Sequence, residues 1–196
     1  MKNMDKKANT DYEINPLISA RWSPRVFADK AVETEALHKL FEAARWAASS
    51  NNAQPWRFMY AHKGTAEYNE IFDHLSDFNK KWCENAPVLA LTAYKKTFKS
   101  GKENFHASHD LGLAIGNLSI QAESMGIAIH SMAGVNWQKA HKTYQVPEDF
   151  HITTAIAIGY YGGEAADLPE DMEKSEKAER KRMKQTEFVT ENKWTF

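Results

Sequence analysis

Cysteine is almost absent from this chain of 196 residues, in which Cys83 stands alone. A single cysteine excludes a disulfide framework within the chain, and it excludes a zinc site built from several cysteines. Disulfides are also rare in proteins of reducing compartments. The composition therefore fits a reduced, cytoplasmic setting.

Long apolar runs and an excess of one charge are also lacking. No apolar stretch approaches the roughly 20 residues that span a bilayer, and residues 1–12 are polar, unlike a secretory signal. The 25 basic and 26 acidic residues nearly cancel, so no global field attracts nucleic acid or membrane. We expect a soluble protein with a flexible lead-in over residues 1–12 and a single domain over residues 13–196.

Several familiar site motifs are missing. The chain has no G-x-G-x-x-G, no G-x-x-x-x-G-K-[ST], no H-E-x-x-H and no G-x-S-x-G. His106 and His109 have a spacing that could serve one metal, but neither a carboxylate nor a cysteine partner is evident, and we expect no metal site. The chemistry must therefore be carried by other residues.

Alternating helical and strand patterns predict an α+β fold, in which helices pack on a sheet. Apolar spacing predicts a helix from Thr34 towards residue 47, a second helix over 65–78 and the longest over 104–125. Strands are predicted at 56–61, 88–94, 127–130 and 152–161, with 88–94 apolar nearly throughout and therefore central. The acidic-to-basic gradient of residues 164–185 predicts a helix, and residues 188–194 predict an apolar arm.

Two polar segments stand out. Residues 45–58 join a helix to a strand through neutral side chains that both donate and accept hydrogen bonds, and these suit a flat heterocycle. Pro55 favours an extended backbone at Gln54. Arg21, Ser23 and Arg25 resemble an anion site, because arginine makes bidentate contacts with phosphate. The alternatives are a capped helix-to-strand turn in the first case and a solvated surface loop in the second.

Read together, these pieces resemble the nitroreductase family of FMN-dependent oxidoreductases that use NAD(P)H. The matches follow the family's order and cover roughly residues 15–196. They are found at residues 21–25, 48–56, 85–89, 110–114, 125–127, 130–134, 157–160, 180–182 and 187–194. The resemblance implies a mostly antiparallel central sheet packed with helices, a C-terminal arm from about residue 164, and an interlocked homodimer with FMN at the subunit interface.

The resemblance also implies a set of flavin contacts. Those expected are Arg21, Trp22, Ser23, Arg25, Ser49, Ser50, Asn52, Gln54, Asn79, Met132, Ala133, Gly134, Arg180 and Arg182. The phosphate would be held by Arg21, Arg180 and Arg182 with help from Ser23. Arg25 would lie beside the flavin N1 and C2 carbonyl and stabilise the reduced ring. Trp22 departs from the basic residue or histidine common in the family and removes a possible polar contact.

The remaining contacts have less specific roles. Ser49, Ser50 and Asn52 would reach the ring and ribityl chain from the other subunit, with Gln54 in support. Asn79 would reach the pyrimidine edge. The backbone of residues 132–134 would pass near N5 and the dimethylbenzene edge.

The implied activity is reduction of nitro compounds, quinones or similar conjugated acceptors. NAD(P)H would donate hydride to the flavin, leave, and be replaced by the acceptor in a ping-pong cycle that needs no catalytic side chain. Three alternatives stay open at this point: an FMN storage or sensor protein, another flavin reaction such as oxidation or dehalogenation, and a flavin-free interaction module. A colourless protein would favour the last.

Overall fold

A four-stranded antiparallel sheet organises the chain. The computed structural model describes residues 6–194. The strands are β1 (Trp56–His62), β2 (Val88–Lys95), β3 (Ile127–Met132) and β4 (Phe150–Tyr160), and they lie in the order β1-β2-β4-β3. Every pairing is antiparallel, which confirms the predicted sheet. The two edges are therefore formed by β1 and β3.

Helices flank the sheet on both faces. In chain order they are α1 (Pro16–Ala20), α2 (Thr34–Arg45), α3 (Ala66–Asp73), α4 (Asp77–Cys83), α5 (Ala107–Ser124), α6 (Trp137–Thr143) and α7 (Glu170–Lys177). Asn15 caps α1 through the Leu17 N–H, and Pro16 opens it, as the sequence predicts. After the C-terminus of α5, the longest helix, Gly126 adopts a left-handed φ of 68°, as expected of a glycine that ends a helix.

Strand β2 is central and is buried on both faces, as its apolar sequence predicts. Leu89 and Leu91 face a core shared with α3, α4 and α7. Val88 and Ala90 face the opposite core, which α2 and α5 cover. Successive side chains of a strand point to opposite faces of the sheet, so β2 contributes side chains to both cores.

The helix predicted over residues 65–78 is in fact two helices. α3 ends at Asp73, Leu75 forms an isolated bridge with Val135, and α4 begins at Asp77. Ser76 accepts a hydrogen bond from the Asn79 N–H and so caps the new helix. The polar stretch after residue 78 is consequently helical, and its side chains are aimed by α4.

The helix predicted over residues 164–185 is much shorter. Pro169 precedes α7, and Ala178 has an extended backbone with ψ of 148°. Past that residue, the Arg180 Nη1 donates to the carbonyls of Lys6 and Ser19 at 2.7 and 2.8 Å. These contacts with distant backbone outweigh the helix propensity of the charged segment.

Helix α5 buries only one of its faces within the chain. Leu111, Ala114 and Leu118 lie in the core, whereas Gly112 and Gly116 are exposed, and a Cβ on either would meet nothing within 4 Å. The uncovered face is open for the close approach of a second helix. The predicted dimer would use it.

The sequence predicts a flexible lead-in at the N-terminal end of the chain and a docking arm at the C-terminal end. Residues 1–5 lie outside the described part of the chain. The Ala8 N–H donates to the Ser19 carbonyl at 2.9 Å, and the Lys6 ammonium contacts the Ala178 carbonyl. Residues 181–194 are exposed throughout. The flexibility of the lead-in and the docking of the arm stay predictions.

Gly159 lies at a tightly packed position of β4, so a substitution there tests the packing. A Cβ there would lie 2.7 Å from both Phe27 Cδ1 and Pro87 Cδ. We expect Gly159→Ala to lower the free energy of unfolding by about 1–3 kcal/mol, because inserted atoms force a packed core to shift. The measurement is urea denaturation. Ser131→Ala, at an exposed position on β3, is the control and is expected within about 0.5 kcal/mol of the parent; equal stability of both variants would contradict the packing.

Candidate functional site

The residues predicted to bind an anion meet in one cavity. It has a volume of about 220 Å³ and lies between the segment that follows α1 and the segment that follows α7. We call it the arginine cavity. Its lining includes Lys6, Arg21, Trp22, Ser23, Arg25, Glu176, Glu179, Arg180 and Arg182. The cavity therefore brings together the four residues predicted to hold the phosphate, Arg21, Ser23, Arg180 and Arg182, together with Trp22 and Arg25.

The arginines of the cavity are held in different ways. Arg21 donates to the Ser23 hydroxyl at 3.2 Å. The Arg180 Nη1 donates to the carbonyls of Lys6 and Ser19. Arg25 lies 3.6 Å from the Glu176 carboxylate, and its buried Nε has no hydrogen-bond partner among the described residues. Several guanidinium N–H groups thus remain available for a ligand.

Trp22 lines the cavity and has the Lys6 ammonium 5.3 Å from the centroid of its ring. Its indole stacks on the Tyr161 ring, with centroids 6.0 Å apart. The Tyr161 hydroxyl donates to the Glu123 carboxylate at 2.6 Å and accepts the Trp22 N–H at 3.4 Å. Burial, followed by the hydrogen bond with Glu123, raises the Tyr161 pKa, so the phenol keeps its proton. Trp22 therefore anchors the segment to the end of β4.

His130 fixes the other half of the same segment. Its Nδ1 lies 2.8 Å from the Pro24 carbonyl, which can only accept, so Nδ1 carries the proton. The ring packs on Trp82 with centroids 4.4 Å apart. Burial lowers the His130 pKa to about 4, and the nearby Arg25 charge contributes. The imidazole is therefore neutral at physiological pH and acts as a hydrogen-bond donor.

The predicted ring-binding loop has an unusual backbone. Asn51, Asn52 and Gln54 have φ of 51°, 52° and 49°, in the left-handed region that side chains other than glycine rarely adopt. The extended backbone predicted at Gln54 is therefore wrong. The Gln54 N–H donates to the Ser49 hydroxyl at 3.1 Å, and its side-chain amide donates to the Asn52 carbonyl at 3.0 Å. These bonds offset the preference that Pro55 imposes, and such strain clusters at functional sites.

This loop lies far from the arginine cavity of the same chain. The Ser50 N–H donates to Asp110, in the first turn of α5, at 3.1 Å. The segment with Trp22 is anchored through Tyr161 to Glu123, near the end of α5. Asp110 and Glu123 are 13 positions apart on this helix, or about 20 Å at 1.5 Å per residue. One chain therefore presents the two halves of the predicted site at opposite ends of its longest helix.

The third predicted group, residues 132–134, begins at the last residue of β3. Met132 is buried in the core, whereas Ala133 is exposed. The Gly134 carbonyl accepts the Asn79 side-chain amide at 3.2 Å and the Ser76 N–H at 2.9 Å. A Cβ on Gly134 would lie 2.4 Å from the Ser76 hydroxyl oxygen, so only glycine fits this approach. Asn79 thus holds the 132–134 backbone in place.

Three residues of this region were not predicted from the sequence to have a role. They are Glu176, His130 and Tyr161, and each satisfies a backbone group of the 21–25 segment. Only Glu176 left a local signal. It follows Met172 by four residues, so an acidic side chain shares the apolar face of a charged helix.

The described residues hold neither a metal cluster nor a spanning helix. Over residues 6–194, no group of three or more His, Cys, Asp or Glu side chains is placed to hold a metal ion. No helix within the same residues is long and apolar enough to cross a membrane.

Comparison with known proteins extends this picture. A Streptomyces coelicolor protein provisionally named NADH dehydrogenase/NAD(P)H nitroreductase is 29% identical over 161 residues, which are 71% of this chain and 79% of that protein. A solved structure described as an oxidoreductase containing FMN is 31% identical, with a TM-score of 0.91 over 100% of this chain and 99% of its own. A nitroreductase family protein from Clostridium difficile 630, at 22% identity and with 91% and 97% of the two chains covered, shares the fold with a TM-score of 0.69.

The family of this chain follows from a match to a protein-family model. The Nitroreductase family model matches residues 18–81 and 63–160, which together are well over half of the chain. The matched span includes the 21–25 segment, the loop of residues 49–54 and the 132–134 backbone. Because of its left-handed residues, we call the loop of residues 49–54 the strained loop. This chain is a member of the nitroreductase family.

Proposed function

We propose that this protein is an FMN-dependent oxidoreductase that uses NAD(P)H to reduce nitro compounds, quinones or similar conjugated acceptors. The observation that carries the proposal is the convergence of Arg21, Arg25, Arg180 and Arg182 on the arginine cavity, with the Ser23 hydroxyl beside them. The 31% identical structure that is described as an oxidoreductase containing FMN supports it.

The donor set of the cavity fits a phosphate monoester. Such a group carries about −1.5 to −2 charges at pH 7 and three strong acceptor oxygens. The cavity supplies planar guanidinium groups, which match phosphate geometry. A buried Arg25 Nε without a partner marks an N–H group that an incoming acceptor oxygen would satisfy. Arg21, Ser23, Arg180 and Arg182 would hold the phosphate.

Arg25 would serve the flavin ring. Its side chain is 21% exposed, and the resemblance assigns it a place beside the flavin N1 and C2 carbonyl. A fixed cation stabilises negative charge that develops beside it, most strongly where water is excluded. Asn79 would act by holding the 132–134 backbone at the ring edge. When bound, FMN accepts a hydride from NAD(P)H and passes the electrons to the acceptor, so no side-chain nucleophile is required.

We further propose that each site is built from two chains of a homodimer. Within one chain, the strained loop with Ser49, Ser50 and Asn52 is about 20 Å along α5 from the anchor of the arginine cavity. The uncovered face of α5, with Gly112 and Gly116, allows close approach of a second chain. Such an approach would bring the loop of one chain to the cavity of the other.

The first test is the colour of the purified protein and the effect of Arg21→Ala. We expect about one FMN per chain and loss of the flavin absorption when NADPH or NADH is added without oxygen. Among the described hydrogen bonds, the Arg21 side chain donates only to Ser23, so we expect Arg21→Ala to keep the fold intact. The FMN affinity should fall about tenfold to a hundredfold, since a charge-assisted contact contributes roughly 1.5–3 kcal/mol.

Two comparisons sharpen this test. Riboflavin, which has no phosphate, should bind Arg21→Ala and the parent equally well. Lys39→Ala, an exposed cation on α2 that pairs with Glu35, should change neither affinity. A colourless protein that takes up no FMN would contradict the proposal, and a bound flavin that NAD(P)H fails to bleach would favour storage or sensing over catalysis.

A mixed dimer tests whether the site spans two chains. Arg21→Ala would damage the cavity, and Asn52→Asp would place a negative charge in the loop while keeping the left-handed backbone that Asp tolerates. Each variant alone should bind FMN weakly. A heterodimer of the two, purified with two different tags, should regain one tight FMN site per dimer, because one of its sites would lack both changes. Absence of any tight site in that heterodimer, measured by flavin fluorescence titration, would show that both residues act within one chain.

A further inference from the structure

We propose that Glu176 is a proton-linked positioning residue of the arginine cavity: its carboxyl group is ionised in the empty cavity and takes up a proton from solvent when the FMN phosphate binds. The inference rests on the proposed function and deepens it. It assigns to the site a carboxyl group that no motif of the sequence indicates.

Glu176 is almost completely buried, at 1% exposure, against the 21–25 segment. Its Oε1 accepts the Arg25 backbone N–H at 2.8 Å. Its Oε2 has no hydrogen-bond partner among the described residues, and the Arg25 Nη1 lies 3.6 Å away, beyond hydrogen-bonding distance. Met172, one turn earlier on α7, is buried in the core and fixes the helix face that delivers the carboxyl group.

The charged groups around this carboxyl come from every neighbouring segment. Arg25 faces it from the 21–25 segment and Lys6 from the N-terminal segment, and both influence its charge. The other charged groups that line the same cavity are Arg21, Glu179, Arg180 and Arg182. Without a bound phosphate, the charges of Arg25 and Lys6 favour an ionised Glu176.

An anion in the cavity changes this balance. A phosphate monoester brings about two negative charges to the same cations, and two like charges that share a site raise the pKa of the weaker acid. Burial already raises the Glu176 pKa above its ordinary value, while the backbone N–H groups of Arg25 and Val26 and the charges of Arg25 and Lys6 oppose that rise. A bare, buried carboxylate oxygen is costly. Protonation removes the repulsion and turns that oxygen into a donor, while Oε1 keeps its bond to the Arg25 N–H.

The sign of the pH dependence follows from this scheme. The Glu176 pKa is higher with FMN than without it, so binding takes up a proton between the two values and FMN affinity falls as pH rises through that range. The phosphate ionises with a pKa near 6 and acts in the opposite direction, but this effect is complete above about pH 7. Measurements between pH 7 and 9 therefore isolate the protein's contribution.

Lys6 is the competing source of proton uptake. Burial lowers the pKa of its ammonium group, while the Glu176 charge raises it. A phosphate could therefore also make Lys6 gain a proton on binding. Substitutions at the two positions distinguish the sources, since Glu176→Gln keeps an acceptor for the Arg25 N–H but cannot titrate.

The experiment is calorimetric titration of the flavin-free full chain with FMN, in two buffers of different ionisation enthalpy, between pH 7 and 9. We expect uptake of about one proton per FMN at its maximum and a dissociation constant that rises up to about tenfold per pH unit. Glu176→Gln should take up no proton and should bind FMN more tightly than the parent at pH 9. Glu173→Gln, on the same helix in a surface ion pair with Lys177, should behave as the parent.

Two further measurements keep the test decisive if Glu176→Gln fails to fold. Riboflavin should bind the parent without proton uptake, because it brings no phosphate, and Lys6→Met should retain the uptake with FMN. The proposal is overturned by FMN binding without proton uptake, by equal uptake with riboflavin, by loss of uptake in Lys6→Met, or by retained uptake in Glu176→Gln. Failure of the parent to bind either flavin would instead count against the proposed function.

Discussion

The structure of the site depends on how the partly buried backbone of residues 21–25 is satisfied. This segment lies between α1 and the sheet without regular hydrogen-bonded partners, and buried N–H and C=O groups need them. Tyr161 accepts from the Trp22 N–H, His130 donates to the Pro24 carbonyl, and Glu176 accepts from the Arg25 N–H. These side chains come from the end of β4, from β3 and from α7. Three separate elements must therefore be in place before the arginines face one cavity.

This dependence explains what the sequence could and could not predict. The central strand and the longest helix were predicted because apolar periodicity reports burial directly. The antiparallel arrangement of the sheet was predicted because the family resemblance implies it. The meeting of Arg21 and Arg25 with Arg180 and Arg182 in one cavity was predicted because a local cluster at 21–25 and the family resemblance agreed. The division between α3 and α4 was missed, since it depends on the Ser76 cap and on a bridge between Leu75 and Val135, 60 positions away. Glu176 was missed for the same reason: its partner is 151 residues distant.

The strained loop obeys a different constraint. Asn51, Asn52 and Gln54 hold left-handed backbone that costs free energy, and the hydrogen bonds around Ser49 offset only part of that cost. Its anchor on Asp110, in the first turn of α5, fixes the loop at the opposite end of that helix from the arginine cavity. This loop is costly to form and is remote from the cavity of its own chain. A dimer would explain both features, because the loop would then contact a ligand held in the cavity of the second chain. The exposed face of α5 is suited to that arrangement.

The C-terminal segment shows how little apolar surface is needed to position many charges. Residues 170–182 are dominated by charged side chains, and in isolation most would prefer water. Met172 nevertheless inserts into the core, and one helical turn later the carboxyl group of Glu176 contacts the Arg25 backbone. The chain then leaves α7 in extended form, which carries Arg180 to the carbonyls of Lys6 and Ser19. A single buried methionine thus sets the direction of the helix, and the helix sets where the cavity's buried acid and its last two arginines lie.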